Sequence, residues 1–226
     1  MVTSHDDQTL FVHAGCPAKA RLSTLHSLSL SSFEWRQCQS APGPGRGGTV
    51  LTALLDSSLL ARFGGFAGKE LDGLDVYDIE KDTWTTVEAS SRQADRSMPD
   101  KRSVHSFVAI QSDSTTVQAD EKNPAGRVVA LMTAGERDPA PAELGHDGSG
   151  FFHDDVWALV VPQGQPLSSS SKFSWLKLEA TGDKPEPRGW FASCRVGQDK
   201  VFVQGGLNAE NNRLDDAWLL QIVSET

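Results

Sequence analysis

Apolar residues along this chain come in short runs rich in Val, Leu, Phe and Trp, with turn-forming clusters of Gly, Pro, Asp and Ser between them. No segment keeps an apolar stripe with a period of about 3.6 residues for three turns, so the pattern predicts strands rather than helices. The runs also recur in a fixed order. Leu59-Leu60-Ala61-Arg62-Phe63 ends on the pair Gly64-Gly65; a loop, Leu74-Asp75-Val76-Tyr77-Asp78-Ile79, a short turn and Trp84-Thr85-Thr86-Val87 follow. Val201-Phe202-Val203-Gln204-Gly205-Gly206 and Asp215-Asp216-Ala217-Trp218-Leu219-Leu220 repeat its first two parts. A third copy has Val128-Val129-Ala130-Leu131-Met132-Thr133-Ala134-Gly135, Asp154-Asp155-Val156-Trp157-Ala158-Leu159 and Phe173-Ser174-Trp175-Leu176. The first copy is the least regular: Leu10-Phe11-Val12-His13-Ala14-Gly15, Leu25-His26-Ser27-Leu28 and Phe33-Glu34-Trp35, with Ala14 replacing one glycine.

A unit of roughly 50 residues with strand signals predicts an all-β propeller, one blade per unit. Each copy supplies strands two, three and four, and strand one comes from segments 49–55, 104–110 and 191–196, each following a turn rich in Pro, Gly and Arg. One domain with blades over about 1–40, 46–90, 102–180 and 188–226 is expected. The glycine pair suits the end of strand two, where a sharp exit leaves little room for a side chain. Trp35, Trp84 and Trp175 are expected to wedge between adjacent blades, and the polar insertions 111–126 and 162–172 to form exposed loops.

The glycine pair, the Asp-aromatic segment and the strand-four Trp together resemble the kelch repeat over nearly the whole chain. The resemblance implies a kelch-type β-propeller of about four blades. Met1 to Ser4 has room only for the tail of a strand one, and the last unit stops after its third strand, so an incomplete arc of a six-bladed propeller is expected. Open edges would invite self-association.

Charge narrows the function classes. Thirty acidic residues against 21 Lys and Arg leave no basic stripe for nucleic acid. No apolar run approaches the roughly 20 residues that span a bilayer. The N-terminal residues are neither basic nor apolar as a secretory signal requires, and three cysteines form no framework, so a cytoplasmic or nuclear location is expected.

Strand one is innermost in an up-and-down blade, so the residues that begin it surround the channel mouth. Here they are Arg46-Gly47-Gly48, Arg102-Ser103-Val104 and Arg188-Gly189-Trp190. Two readings stand: Arg46, Arg102 and Arg188, with Trp190, hold an anion at the mouth, or each arginine pairs with a carboxylate or carbonyl of a neighbouring blade. The loop 135–155 opens on the same face. Its Glu136, Asp138, Glu143 and His146, with Asp147 and His153 nearby, are candidate ligands for a divalent metal; loop carboxylates in turns are the competing explanation.

Arg46-Gly47-Gly48, Phe63-Gly64-Gly65-Phe66-Ala67-Gly68, Glu136-Arg137-Asp138-Pro139, Leu144-Gly145-His146-Asp147-Gly148-Ser149-Gly150, Pro187-Arg188-Gly189-Trp190 and Arg213-Leu214-Asp215-Asp216 are similar to one kelch subgroup, the nitrile-specifier, thiocyanate-forming and epithiospecifier proteins and their uncharacterised relatives. The match is to that family's last four blades. It implies an iron-dependent lyase acting on glucosinolate aglycones, with Fe(II) held by Glu, Asp and His at intervals of four. Glu136 suits the first position, but Ala140 and Leu144 occupy the next two; His146 with Asp138 or Glu143 is the nearest substitute. A non-catalytic module binding a protein or small anionic partner is the first functional expectation, the iron-dependent lyase the second, and a fragment without activity of its own the third.

Overall fold

The computed structural model describes residues 1–111, 116–119, 123–139, 148 and 150–223. Its strands form four antiparallel blades. The first contains β1 (Val2–Thr3), β2 (Thr9–His13), β3 (Leu25–Ser29) and β4 (Trp35–Cys38), side by side in that order. The second repeats the arrangement with β5 (Val50–Ala53), β6 (Leu59–Phe63), β7 (Leu74–Asp78) and β8 (Thr83–Val87). β9 (Ser90–Ser91) runs parallel to the outer strand of the third blade, which consists of β10 (Ser106–Ala109), β12 (Gly126–Thr133), β15 (Val156–Pro162) and β16 (Ser174–Leu178). β11 (Thr116–Val117) adds to the edge of β12, and β13 (Glu136–Asp138) pairs with β14 (Phe151–Phe152) in the loop between strands two and three. The fourth blade has three strands, β17 (Ala192–Val196), β18 (Lys200–Leu207) and β19 (Arg213–Gln221). The inner strands follow one another around the arc, β1 against β5, β5 against β10 and β10 against β17.

Three apolar layers lie between the four blades. Phe11, Leu25, Leu51, Leu60 and Tyr77 join the first two; Phe63, Val76, Phe107, Met132 and Trp175 join the middle pair; Val128, Leu131, Val160, Val201 and Val203 join the last. A blade covered on both faces buries nearly every position, and β6, β7 and most of β15 are buried throughout, with the charged Arg62, Asp75 and Asp78 among them held in ion pairs. Among the described residues β19 has a neighbour on one face only. Its nine residues accordingly alternate between exposed and half-buried, with Trp218 and Leu220 turned to the core.

The strand-four tryptophans show the same logic. Trp84 and Trp175 pack toward the preceding blade. Trp175 is buried edge-on against Phe63 of the second blade at 5.5 Å and also touches Phe107. Trp84 lies 5.6 Å from His13 of the first blade, and its Nε1–H donates to the Gln39 carbonyl at 2.9 Å. The expectation that Trp35 is a third wedge is corrected: it occupies the equivalent register, opposite Leu28, but no described blade precedes its own and it is 58% exposed. Much of the 111–126 insertion lies outside the described residues.

Trp175→Ala should therefore cost about 3–5 kcal/mol and Trp35→Ala no more than about 0.5 kcal/mol, read from denaturant midpoints of the two variants.

Candidate functional site

The backbone at the start of each inner strand is built three times in the same way. Gly47 and Phe66 exchange N–H···O bonds, as do Ser103 with Glu136 and Gly189 with Leu207. The next residues, Gly48, Val104 and Trp190, all adopt left-handed φ, at 60°, 48° and 54°. Glycine does this freely, but a β-branched valine pays of order 1–3 kcal/mol and needs neighbours that hold it. Those neighbours are the adjacent blades: Val104 N–H donates to Gly48 O at 2.7 Å, and Trp190 N–H to Val104 O at 3.2 Å. A second series crosses the same interfaces, Gly15, Gly65 and Gly135 donating to the carbonyls of Arg46, Arg102 and Arg188 in the following blade.

The arginine side chains are buried and turned into their own blades. Arg102 places Nη1 on Ala134 O at 3.0 Å and grips Asp155 with Nη1 and Nη2 at 2.7 and 2.9 Å. Arg188 repeats this with Gly205 O at 3.0 Å and with Asp216 at 2.5 and 2.8 Å. In each case the Nε–H caps the carbonyl two residues earlier, Asp100 or Glu186, and a tryptophan N–H, from Trp157 or Trp218, completes the carboxylate. Burial raises the Asp155 pKa, but the bond to Arg102, that arginine's charge and the Trp157 N–H outweigh it and hold the acid below its ordinary range. The Arg188 bond brings Asp216 to about 2. Of the two readings the arginines allowed, Arg102 and Arg188 thus show the pairing one, within the blade rather than to a neighbour.

The second blade differs. Arg46 donates to Gly64 O at 3.0 Å and Pro44 O at 3.4 Å, but no carboxylate among the described residues bonds to it. Asp75 pairs instead with Arg62, an additional arginine in β6, while Thr86 holds its other oxygen at 2.8 Å. Arg62 Nη1 donates to His13 Nε2 at 3.2 Å, and His13 Nδ1–H to Thr24 O at 3.0 Å; burial and then Arg62 push His13 down to about 4, leaving it neutral. Burial, followed by the charge of Arg62, lowers Arg46 to about 10.

The candidate metal ligands are not brought together among the described residues. Glu143 and His146 lie outside them, as does Asp147. Glu136 accepts the Gly150 N–H at 3.0 Å, whereas Asp138 turns outward to Lys101 at 3.3 Å and Arg137 at 3.1 Å. His153 belongs to the Arg102 cluster, its Nε2 on Lys101 O at 3.1 Å and its Nδ1 4.0 Å from Asp155. No three His, Cys, Asp or Glu side chains are gathered for a metal among the described residues.

Two features stand apart from the motifs, although Trp190 itself is one of the residues named for the channel mouth. Glu70 is buried, with neither carboxylate oxygen hydrogen-bonded among the described residues, and its charge, after burial itself, lifts Glu136 to about 7. The second is an aromatic patch. Trp190 and Phe151 are 48% and 62% exposed, Phe152 packs edge-on to Trp190 at 6.0 Å, and Arg137 lies 5.7 Å over Phe151.

No family model matches the chain. A stretch of 48 residues, 21% of the chain, is 35% identical to Kelch domain-containing protein 1 of Mus musculus and covers 12% of that protein. The solved structure of YjhT is similar over 97% of this chain and 61% of its own, with a TM-score of 0.62 at 15% identity. The chain spans less than two thirds of either protein. The fold is a kelch-type β-propeller, present as four blades.

A carboxyl whose folded-state pKa is raised holds more proton folded than unfolded, so Glu136 weakens folding as pH rises from its ordinary 4.5 toward 7. Glu136→Gln should remove that slope and stabilise the protein by on the order of 1–3 kcal/mol at about pH 8, with little change near pH 4, in urea unfolding at the two pH values.

Proposed function

We propose that the chain is a non-catalytic binding module that engages a protein partner through the mouth of its third and fourth blades. The exposed aromatic patch with its arginine carries this reading. Trp190 projects from a backbone fixed by the Val104 carbonyl and packs on Phe152, and the adjoining Phe151 is exposed under Arg137. Large aromatic side chains and arginine, held rigidly and left in water, are the composition of interface hot spots, because they bury much area for little lost rotamer freedom. The kelch-type propeller supports the same use, with a constant backbone carrying different side chains at equivalent places: Phe66, Glu136 and Leu207 after the glycine turns, and Gly48, Val104 and Trp190 at the inner strands. Uncovered outer faces, with Trp35 on the first blade and Leu219 on the fourth, support self-association as a further contact.

The iron-dependent lyase has less support. Of its donors, Glu136 serves the Gly150 amide and Asp138 serves Lys101 and Arg137.

Trp190→Ala and Phe151→Ala should each lower partner affinity by at least tenfold, about 1.4 kcal/mol or more, with thermal stability unchanged. Cross-linking and affinity capture with wild type and both variants, followed by titration of the recovered partner, measures it. Equal binding by all three proteins would contradict the assignment.

A further inference from the structure

The buried arginines of blades three and four meet an aspartate, Asp155 immediately before strand three and Asp216 within it at a break in the pairing register. Asp155 precedes Val156, which pairs with Thr133, and Asp216 precedes Ala217, which pairs with Gln204. Thr133, Gln204 and Phe63 each stand just before the glycine turn of their blade. By that register the equivalent residue in blade two is Gly73, because Leu74 pairs with Phe63. Gly73 has no side chain to supply that carboxylate, and a Cβ built on it would have no atom within 4 Å. Asp75 falls two positions later, opposite Arg62, and both its oxygens are engaged by Arg62 and Thr86.

Arg46 forms no ion pair among the described residues, the charge of Asp75 acting on it only at longer range. It is only 5% exposed, yet its Nη2, whose counterparts in Arg102 and Arg188 bind the second carboxylate oxygen, donates to no described residue and is not sealed from solvent. Arg46 N–H donates to Leu22 O at 3.0 Å; the Arg21 guanidinium lies 4.7 Å over Phe66 and has no ion-pair partner among the described residues. Its Nε is buried without a hydrogen bond. Burying a charge without a partner costs several kcal/mol, and an arginine fork matches a carboxylate in two parallel bonds.

We propose that Arg46 forms a carboxylate-binding site at the mouth of the first two blades, where an incoming carboxylate takes the place that Asp155 and Asp216 hold in the blades that follow. The carboxylate belongs to an acidic side chain or chain end of a partner, or to a small acid. The site deepens the binding-module reading and rests on it only for the face used; none of its residues belongs to the Trp190 patch.

Protein labelled with 15N-arginine is titrated with sodium acetate at fixed ionic strength, and the Nε–Hε signals are followed. The Arg46 signal, identified by its loss in Arg46→Lys, should shift saturably while those of Arg102 and Arg188 stay in place. Gly73→Asp supplies the absent carboxylate and should weaken the acetate response by at least about tenfold, at some cost to a glycine whose φ is +92°. No shift at Arg46, equal shifts at all three arginines, a response to sulfate at lower concentration than to acetate, or an undiminished response in folded Gly73→Asp would overturn the proposal. The peptide Ac-Glu-Asp-Glu-NH2 separates the sources: binding more than about tenfold tighter than acetate assigns the carboxylate to a protein, and parity per carboxylate assigns it to a small acid. Trp190→Ala should keep the acetate response in full, so loss of partner binding and loss of this site are told apart.

Discussion

A buried arginine at the start of each inner strand organises the second, third and fourth blades. Its side chain holds the carbonyl at the blade's own glycine turn, and its backbone carbonyl accepts the amide of the preceding blade's turn. One residue thereby sets the shape within a blade and the spacing between blades. Arg102 is fully buried, a position that costs several kcal/mol of desolvation. That cost is offset because its donors reach two backbone carbonyls and both oxygens of Asp155. The left-handed backbone at Val104 is the strain this framework tolerates, and the hydrogen bonds to Gly48 and from Trp190 are what keep it there.

Much of this was legible in the residues. Glycine pairs, aromatic strand-three segments and strand-four tryptophans are backbone and packing requirements, so they recur as letters, and they led directly to blades. Trp84 and Trp175 wedge as the repeat predicts, whereas Trp35 does not, because a wedge needs a preceding blade. The offset in blade two was hidden for a different reason. Asp75-Val76-Tyr77 reads like Asp155-Val156-Trp157, yet strand pairing places Asp75 level with Trp157, and only the ladder shows which arginine it meets. Glu70 was equally silent, since nothing in its neighbours along the chain signals that it will be buried near Glu136.

The mouth therefore divides into two chemistries. On the third and fourth blades the arginines are neutralised internally, and what faces the solvent is aromatic: Trp190 and Phe151. On the first and second blades one arginine lacks its aspartate, and the cation remains. A repeat that is almost regular makes the departure meaningful, because the intact copies show what the altered copy lacks.

Whether the arginine–aspartate pairs hold the blades together is tested most directly by a double-mutant cycle on Arg102 and Asp155, using Arg102→Met, Asp155→Leu and the double variant in denaturant unfolding. A favourable coupling of about 1–3 kcal/mol, with the double variant less destabilised than the sum of the two singles, is the predicted result. A coupling indistinguishable from zero would contradict the account, since the two side chains would then contribute to the fold independently of the bond between them.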